Sequence, residues 1–177
     1  MIFTPTKIAG VWIVAFEKHA DARGYFARTW CQREFESHGL NARLVQCSMS
    51  HSARKGTLRG LHYQAAPHEE AKLVRCTRGA IFGVALDLRP ASPTFKDWIG
   101  IELDTEAGQM LYIAEGLAHG FQTLWDETEV AYHMSEFFHP ETARGVRWND
   151  PAFGIAWPAC DNRIMSDRDA GYPDFVC

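Results

Sequence analysis

The stretch Gly56-Thr57-Leu58-Arg59-Gly60-Leu61-His62-Tyr63-Gln64 carries an arginine, a histidine, a tyrosine and a glutamine within six residues of a strand-like run. Polar groups of four kinds are costly on one apolar strand unless a ligand or partner needs them. An imidazole exchanges protons near neutral pH. A guanidinium forks two hydrogen bonds onto a phosphate or carboxylate. Gly56 and Gly60 have no Cβ, so backbone or ligand can come close. The plain alternative is a surface strand with an ordinary polar face.

Three polar residues further along the chain are expected to converge on this stretch. Side chains alternate along a strand, so Tyr132 shares a face with the apolar Val130 and Met134. By the same rule His119 shares a face with Phe121, and Lys72 with Val74 and Cys76. A lysine on such a face is unusual, because lysines are rarely buried without a partner. Taken singly, Tyr132 reads as a core tyrosine, His119 as a structural hydrogen-bonder and Lys72 as a strand-end residue reaching water. Together with Arg59 and His62 they describe a polar cluster inside a β-barrel. Arg59 and His62 have opposite parity, so a flat strand would aim them apart. Either a bulge intervenes near Gly60 or only one of them faces the cluster.

The elements that must hold these residues are mostly strands. Ile8 to Phe16 reads as the first, His19 to Gly24 as a turn, Cys31 to His38 as a short helix stopped by Gly39, and Leu44 to Ser50 as another strand. From Ala71 onward strand follows strand: 71–77, 80–88, 98–103, 109–113, 118–124 and 129–137. Turn signals such as Arg78-Gly79, Ala107-Gly108 and Glu115-Gly116 separate them. Short strands at this spacing indicate an antiparallel sandwich, jelly roll or barrel. No repeat or linker divides the chain, which predicts one domain over residues 1–177. Beyond Asn149-Asp150-Pro151 the pattern becomes irregular, as expected of a tail laid over the barrel.

Composition narrows the function. The chain has 177 residues, 46% apolar and 23% charged, with a net charge of −4. That is an ordinary globular balance and lacks the basic stripe of a nucleic-acid binder. Five scattered cysteines without a C-x-x-C pair argue against a disulfide scaffold or thiolate zinc site and for a reducing compartment. No secretory leader pattern and no run of about 18 apolar residues is present. The expected location is therefore cytoplasmic, with no membrane partner. A barrel with inward histidines also raises metal chemistry, which usually needs two or three histidines plus a carboxylate. His62 is followed by Tyr63 and Gln64 rather than a second histidine. His68 and Glu69 follow, in a loop marked by Pro67, so a metal centre is the minority reading.

Six motifs occur in order: Arg59-Gly60-Leu61-His62-Tyr63-Gln64, Lys72-Leu73-Val74-Arg75, Ser92-Pro93-Thr94-Phe95, Ala118-His119-Gly120-Phe121, Trp148-Asn149-Asp150-Pro151 and Ser166-Asp167-Arg168-Asp169. In these the chain resembles the dTDP-4-dehydrorhamnose 3,5-epimerase family, from about Phe16 to Asp169. The resemblance implies a mainly β, cupin-type jelly roll with a few short helices. It also implies a homodimer, an active site without metal or cofactor, and a nucleotide-linked 4-keto-6-deoxyhexose as substrate. By resemblance His62 is the base, Asp169 the carboxylate that holds it, Lys72 the cation at the carbonyl oxygen and Tyr132 the acid on the far face. Arg59 and Arg23 match diphosphate-binding positions, Gln46 a sugar contact, and His119 a further polar contact.

Five positions depart from the family pattern. Arg28 stands where a glutamate usually accepts a hydrogen bond from thymine; an arginine only donates, which raises a CDP-linked substrate as an alternative. Cys47-Ser48 replaces Asp-Asn, so Ser48 is a changed substrate contact. Phe138 replaces a tyrosine and removes a hydroxyl near the ligand. Gly83 replaces an aspartate. These departures point to a shift in substrate, or to inversion at one carbon only. The competing readings are a nucleotide-sugar-binding cupin without turnover and a metal-dependent cupin.

Overall fold

The computed structural model describes residues 1–176. Two antiparallel sheets face each other without closing into a barrel, so the sandwich form of the expected jelly roll is the one adopted. The six-stranded sheet contains β1 (Ile2–Pro5), β2 (Val11–Ala15), β5 (Gln46–Ser52), β7 (Lys72–Arg78), β10 (Gln109–Ile113) and β12 (Thr128–Met134), in the order β1-β2-β10-β7-β12-β5. The five-stranded sheet contains β6 (Leu58–Gln64), β8 (Ala80–Asp87), β9 (Trp98–Asp104), β11 (Leu117–Thr123) and β13 (Ala143–Gly145), in the order β13-β6-β11-β8-β9. A small hairpin, β3 (His19–Asp21) with β4 (Gly24–Phe26), stands apart from both.

Alternation decides what lies between the sheets. Val74, Cys76, Leu111 and Val130 from one sheet meet Ile81, Ala85, Leu103 and Phe121 from the other in one buried cluster. The outer faces are covered as well. Phe35 of α1 (Gln32–Ser37) packs on Leu73, Met110 and Tyr112 behind the six-stranded sheet. Phe153 and Phe175 of the tail pack near Leu61, Val84 and Leu86 behind the other. Burial on both faces explains why every residue of β11 is buried, His119 included.

The expected strands are found with ends shifted by a few residues, except that the last stops at Met134 rather than residue 137. Five elements differ from expectation. β1 and β13 are short edge strands with too few residues to show alternation. The segment read as a turn over His19 to Gly24 is the start of the hairpin, whose strands have three residues each. The tail lies over the sandwich as expected, but it also touches the fold through a parallel bridge between Thr57 and Ile164, and it forms a second short helix, α2 (Asp167–Ala170). Among the described residues, no helix is long and apolar enough to cross a membrane.

Candidate active site

A cavity of about 560 Å³ opens between the sheets, within the range of small-ligand sites. Arg59, His62, Lys72, His119, Tyr132 and Asp169 line it. A second chamber of about 340 Å³ shares His62, Lys72, Tyr132 and Arg168 with the first and adds Gln46, Ser48 and Phe138. Arg59, His62 and His119 stand on the five-stranded sheet; Lys72, Tyr132, Gln46 and Ser48 stand on the six-stranded sheet.

The parity conflict is resolved by a bulge. Arg59 pairs with Phe121 and His62 with His119, so Gly60 and Leu61 together oppose the single residue Gly120. One extra residue puts Arg59 and His62 on the same face. The bulge needs glycine: φ is +119° at Gly60, and a Cβ there would lie 2.6 Å from Gly120 Cα. Position 60 is therefore closed to other side chains on both conformational and steric grounds.

His62 is oriented from the tail. Ser166 caps α2 by accepting from the Asp169 backbone N–H at 3.1 Å, a Ser-x-x-Asp arrangement that starts helices. Helix α2 then aims Asp169 at β6, where Oδ1 lies 2.7 Å from His62 Nε2 and Oδ2 accepts the Gly60 N–H at 3.1 Å. A carboxylate only accepts, so Nε2 carries the proton and the Nδ1 lone pair is left over. Burial raises the Asp169 carboxyl, but the His62 hydrogen bond and charge and the Gly60 N–H outweigh it and hold the group below its ordinary value.

The opposite wall is acidic and cationic. Tyr132 donates to or accepts from Ser50 Oγ at 3.0 Å, and burial pushes its phenol up to about 12. It is thus a neutral proton donor at physiological pH. Lys72 Nζ pairs with Glu70 at 2.8 Å and reaches the His62 carbonyl at 3.3 Å. This is the partner a half-buried lysine requires. Beside them His119 Nδ1 lies 2.9 Å from the Val84 carbonyl, and burial followed by the Lys72 charge drives its imidazole down to about 3. It is a neutral ring whose Nε2 has no hydrogen-bond partner among the described residues. Arg59 is held by Ser52 Oγ at 3.2 Å and the His51 carbonyl at 3.0 Å. Gln46 accepts from the Phe138 N–H at 3.0 Å, which fixes Phe138 at the second chamber.

Two expected contacts lie outside this cavity in the single chain. Arg23 sits on the exposed hairpin, bound to Asp21. Arg28 is exposed and pairs with Glu34 at 3.1 Å. Glu70, Ser50 and Arg168 were not singled out from the sequence. Glu70 was hidden in a charged run, Ser50 could have been found from its parity with Ser48, and Arg168 from its place beside Asp169. The nearest thing to a metal cluster among the described residues, His68 with His139 and Glu141, does not line either chamber.

An antiparallel sandwich with a titratable interior of this kind is the build of a cupin-type enzyme that works by proton transfer. Comparison with known proteins specifies it. The model of the dTDP-4-dehydrorhamnose 3,5-epimerase family matches residues 5–176. The chain is 42% identical over 173 residues to the dTDP-4-dehydrorhamnose 3,5-epimerase of Sinorhizobium fredii, covering 98% of this chain and 89% of that one. It superposes on the crystal structure of the corresponding enzyme from Elizabethkingia anophelis with a TM-score of 0.95 at 36% identity, covering 99% and 96% of the two chains. It also matches the Legionella pneumophila epimerase solved in complex with dTDP-4-keto-L-rhamnose, with a TM-score of 0.91 at 35% identity, covering 97% and 90%. The chain belongs to the dTDP-4-dehydrorhamnose 3,5-epimerase family, which are isomerases of a sugar nucleotide.

Proposed function

We propose that this chain inverts C3, C5 or both in a dTDP-linked 4-keto-6-deoxyhexose, in deoxysugar synthesis of the rhamnose type. The observation that carries the reading is the placement of His62 and Tyr132 on facing sheets of one cavity. The 4-keto group acidifies the hydrogens on C3 and C5. His62 removes one through its free nitrogen, and Asp169 stabilises the imidazolium that forms. Charge moves to O4, where the Lys72 ammonium meets it. Tyr132 returns a proton to the opposite face of the same carbon, which inverts it. Solvent then takes the proton from His62 and restores the one lost by Tyr132.

Arg59 serves the diphosphate, and Gln46, Ser48 and His119 serve the sugar and its surroundings. Arg28 is engaged by Glu34 outside the cavity of its own chain, and a CDP-linked sugar stays the alternative substrate. The functional unit is a homodimer. Arg23 shares its exposed hairpin with Tyr25 and Phe26, both large and exposed, and in a dimer such a hairpin can bring Arg23 to a neighbouring cavity. The cysteines at positions 31, 47, 76 and 160 are free, which supports the expected cytoplasmic location.

NMR in heavy water with dTDP- and CDP-linked 4-keto-6-deoxyglucose tests the reading. The expected result is deuterium at C3, C5 or both of the dTDP sugar, with new epimers. Tight binding without label would make the chain a sugar-nucleotide-binding protein. Equal turnover of the CDP sugar would remove the nucleotide assignment.

A further inference from the structure

Outside the cavity, two loops bring a pair of histidines and a glutamate together. His68 and His139 stack with ring centroids 3.6 Å apart and planes within 5°. His139 Nδ1 lies 3.0 Å from Glu141 Oε1, and the three side chains offer ligand atoms that all lie within 4.8 Å of one another. Both histidines are half-buried while Glu141 is exposed, so one side of the cluster opens to water.

The backbone beneath the cluster is fixed. Gln64, itself buried, donates to the His68 carbonyl at 2.9 Å and the Phe137 carbonyl at 3.0 Å, and accepts the His139 N–H at 2.6 Å. One amide thus clamps both loops, so the two imidazoles are brought together before any ion arrives. Preorganised ligands on a fixed frame are what a metal site requires.

We propose that His68, His139 and Glu141 form a binding site for a divalent transition ion of the zinc type, separate from the epimerase chemistry. Two imidazole nitrogens and one carboxylate suit zinc, cobalt or nickel better than calcium or magnesium, which prefer all-oxygen shells. Three protein ligands with one position open to water is a common zinc arrangement. Zinc bonds to nitrogen and oxygen run about 2.0–2.2 Å, which puts ligand atoms about 3.3 Å apart. Capture therefore draws the three groups inward by about an ångström and turns one ring edge-on, since the nitrogen lone pair lies in the ring plane. Half-buried side chains have that freedom. The bound ion would tie the loop over residues 65–71 to that over 135–142. The second loop carries Phe138, and Arg144 follows it, both facing the second chamber.

Calorimetric titration of the chelator-treated full chain with zinc chloride tests this. The expected result is one saturable zinc per chain, with a rise in melting temperature as zinc is added. His68→Ala and His139→Ala should each weaken uptake by at least about tenfold, the scale on which even outer-shell partners act. Glu141→Gln, at an exposed position that leaves the packing intact, should weaken it in the same direction. His62→Ala should leave it unchanged. Uptake that survives both histidine substitutions, uptake lost in His62→Ala, or no saturable binding by the parent chain would each overturn the proposal.

Discussion

The five-stranded sheet presents His62 to the cavity with a carboxylate behind it, whereas the six-stranded sheet presents Tyr132 and Lys72. The first wall keeps an imidazole in one tautomer and ready for positive charge. The second holds a phenol protonated and an ammonium close by. Groups whose surroundings set them to opposite proton tasks mark the acid and base of a site. In the proposed mechanism the two tasks fall to residues on different sheets. The walls also differ in construction. The six-stranded wall uses regular alternation, while the five-stranded wall needs a bulge at Gly60 and a helix from the tail.

Gly60→Ala attacks the irregular wall and should have the largest effect. It forces a side chain into Gly120 at positive φ and should cost about 3 kcal/mol or more of stability, with activity lost as well. Denaturant unfolding checks this; unchanged stability would mean that the bulge does not depend on glycine. Lys72→Met probes the regular wall. It should lower kcat by about 10²–10³-fold with little change in KM, as loss of one enolate-stabilising donor does. A rise in KM alone would make Lys72 a binding residue.

Asp169→Asn should have a smaller effect, lowering kcat by about 10²-fold, the low end of what a positioned acid–base group contributes, by disturbing the His62 tautomer. The same variant tests a linkage. The folded Asp169 carboxyl titrates below its ordinary value, so its contribution to stability is complete above about pH 4 and is lost as pH falls through the folded value. Stability measured from pH 5 downward should therefore fall less steeply in Asp169→Asn than in the parent. Parallel curves would remove the link between this carboxylate and acid stability.

How much of this was legible in the sequence follows the same division. Alternation placed Tyr132, Lys72 and His119 inward, because each sits in a regular strand beside residues that proved to be core, such as Val130, Val74 and Phe121. It failed at Arg59 and His62, where two residues oppose one and parity is reset; the sequence offered Gly60 as the only clue. Asp169 was reachable through family resemblance and not through periodicity, since a four-residue helix shows no period. The pairing of Glu70 with Lys72 was invisible because a half-buried ion pair between neighbours reads as an ordinary charged run. Arg23 matches a diphosphate-binding position by resemblance and Arg28 replaces the family's base-contacting glutamate, yet in one chain both point to solvent and pair with local carboxylates.

The division of labour between the walls is tested most directly by following deuterium and configuration together, by NMR in heavy water, for His62→Ala and Tyr132→Phe. The account predicts that His62→Ala still binds the dTDP sugar but takes up no label at C3 or C5. It predicts that Tyr132→Phe takes up label while inversion slows far more than exchange. Exchange at the parent rate in His62→Ala, or equal loss of exchange and inversion in Tyr132→Phe, would contradict it.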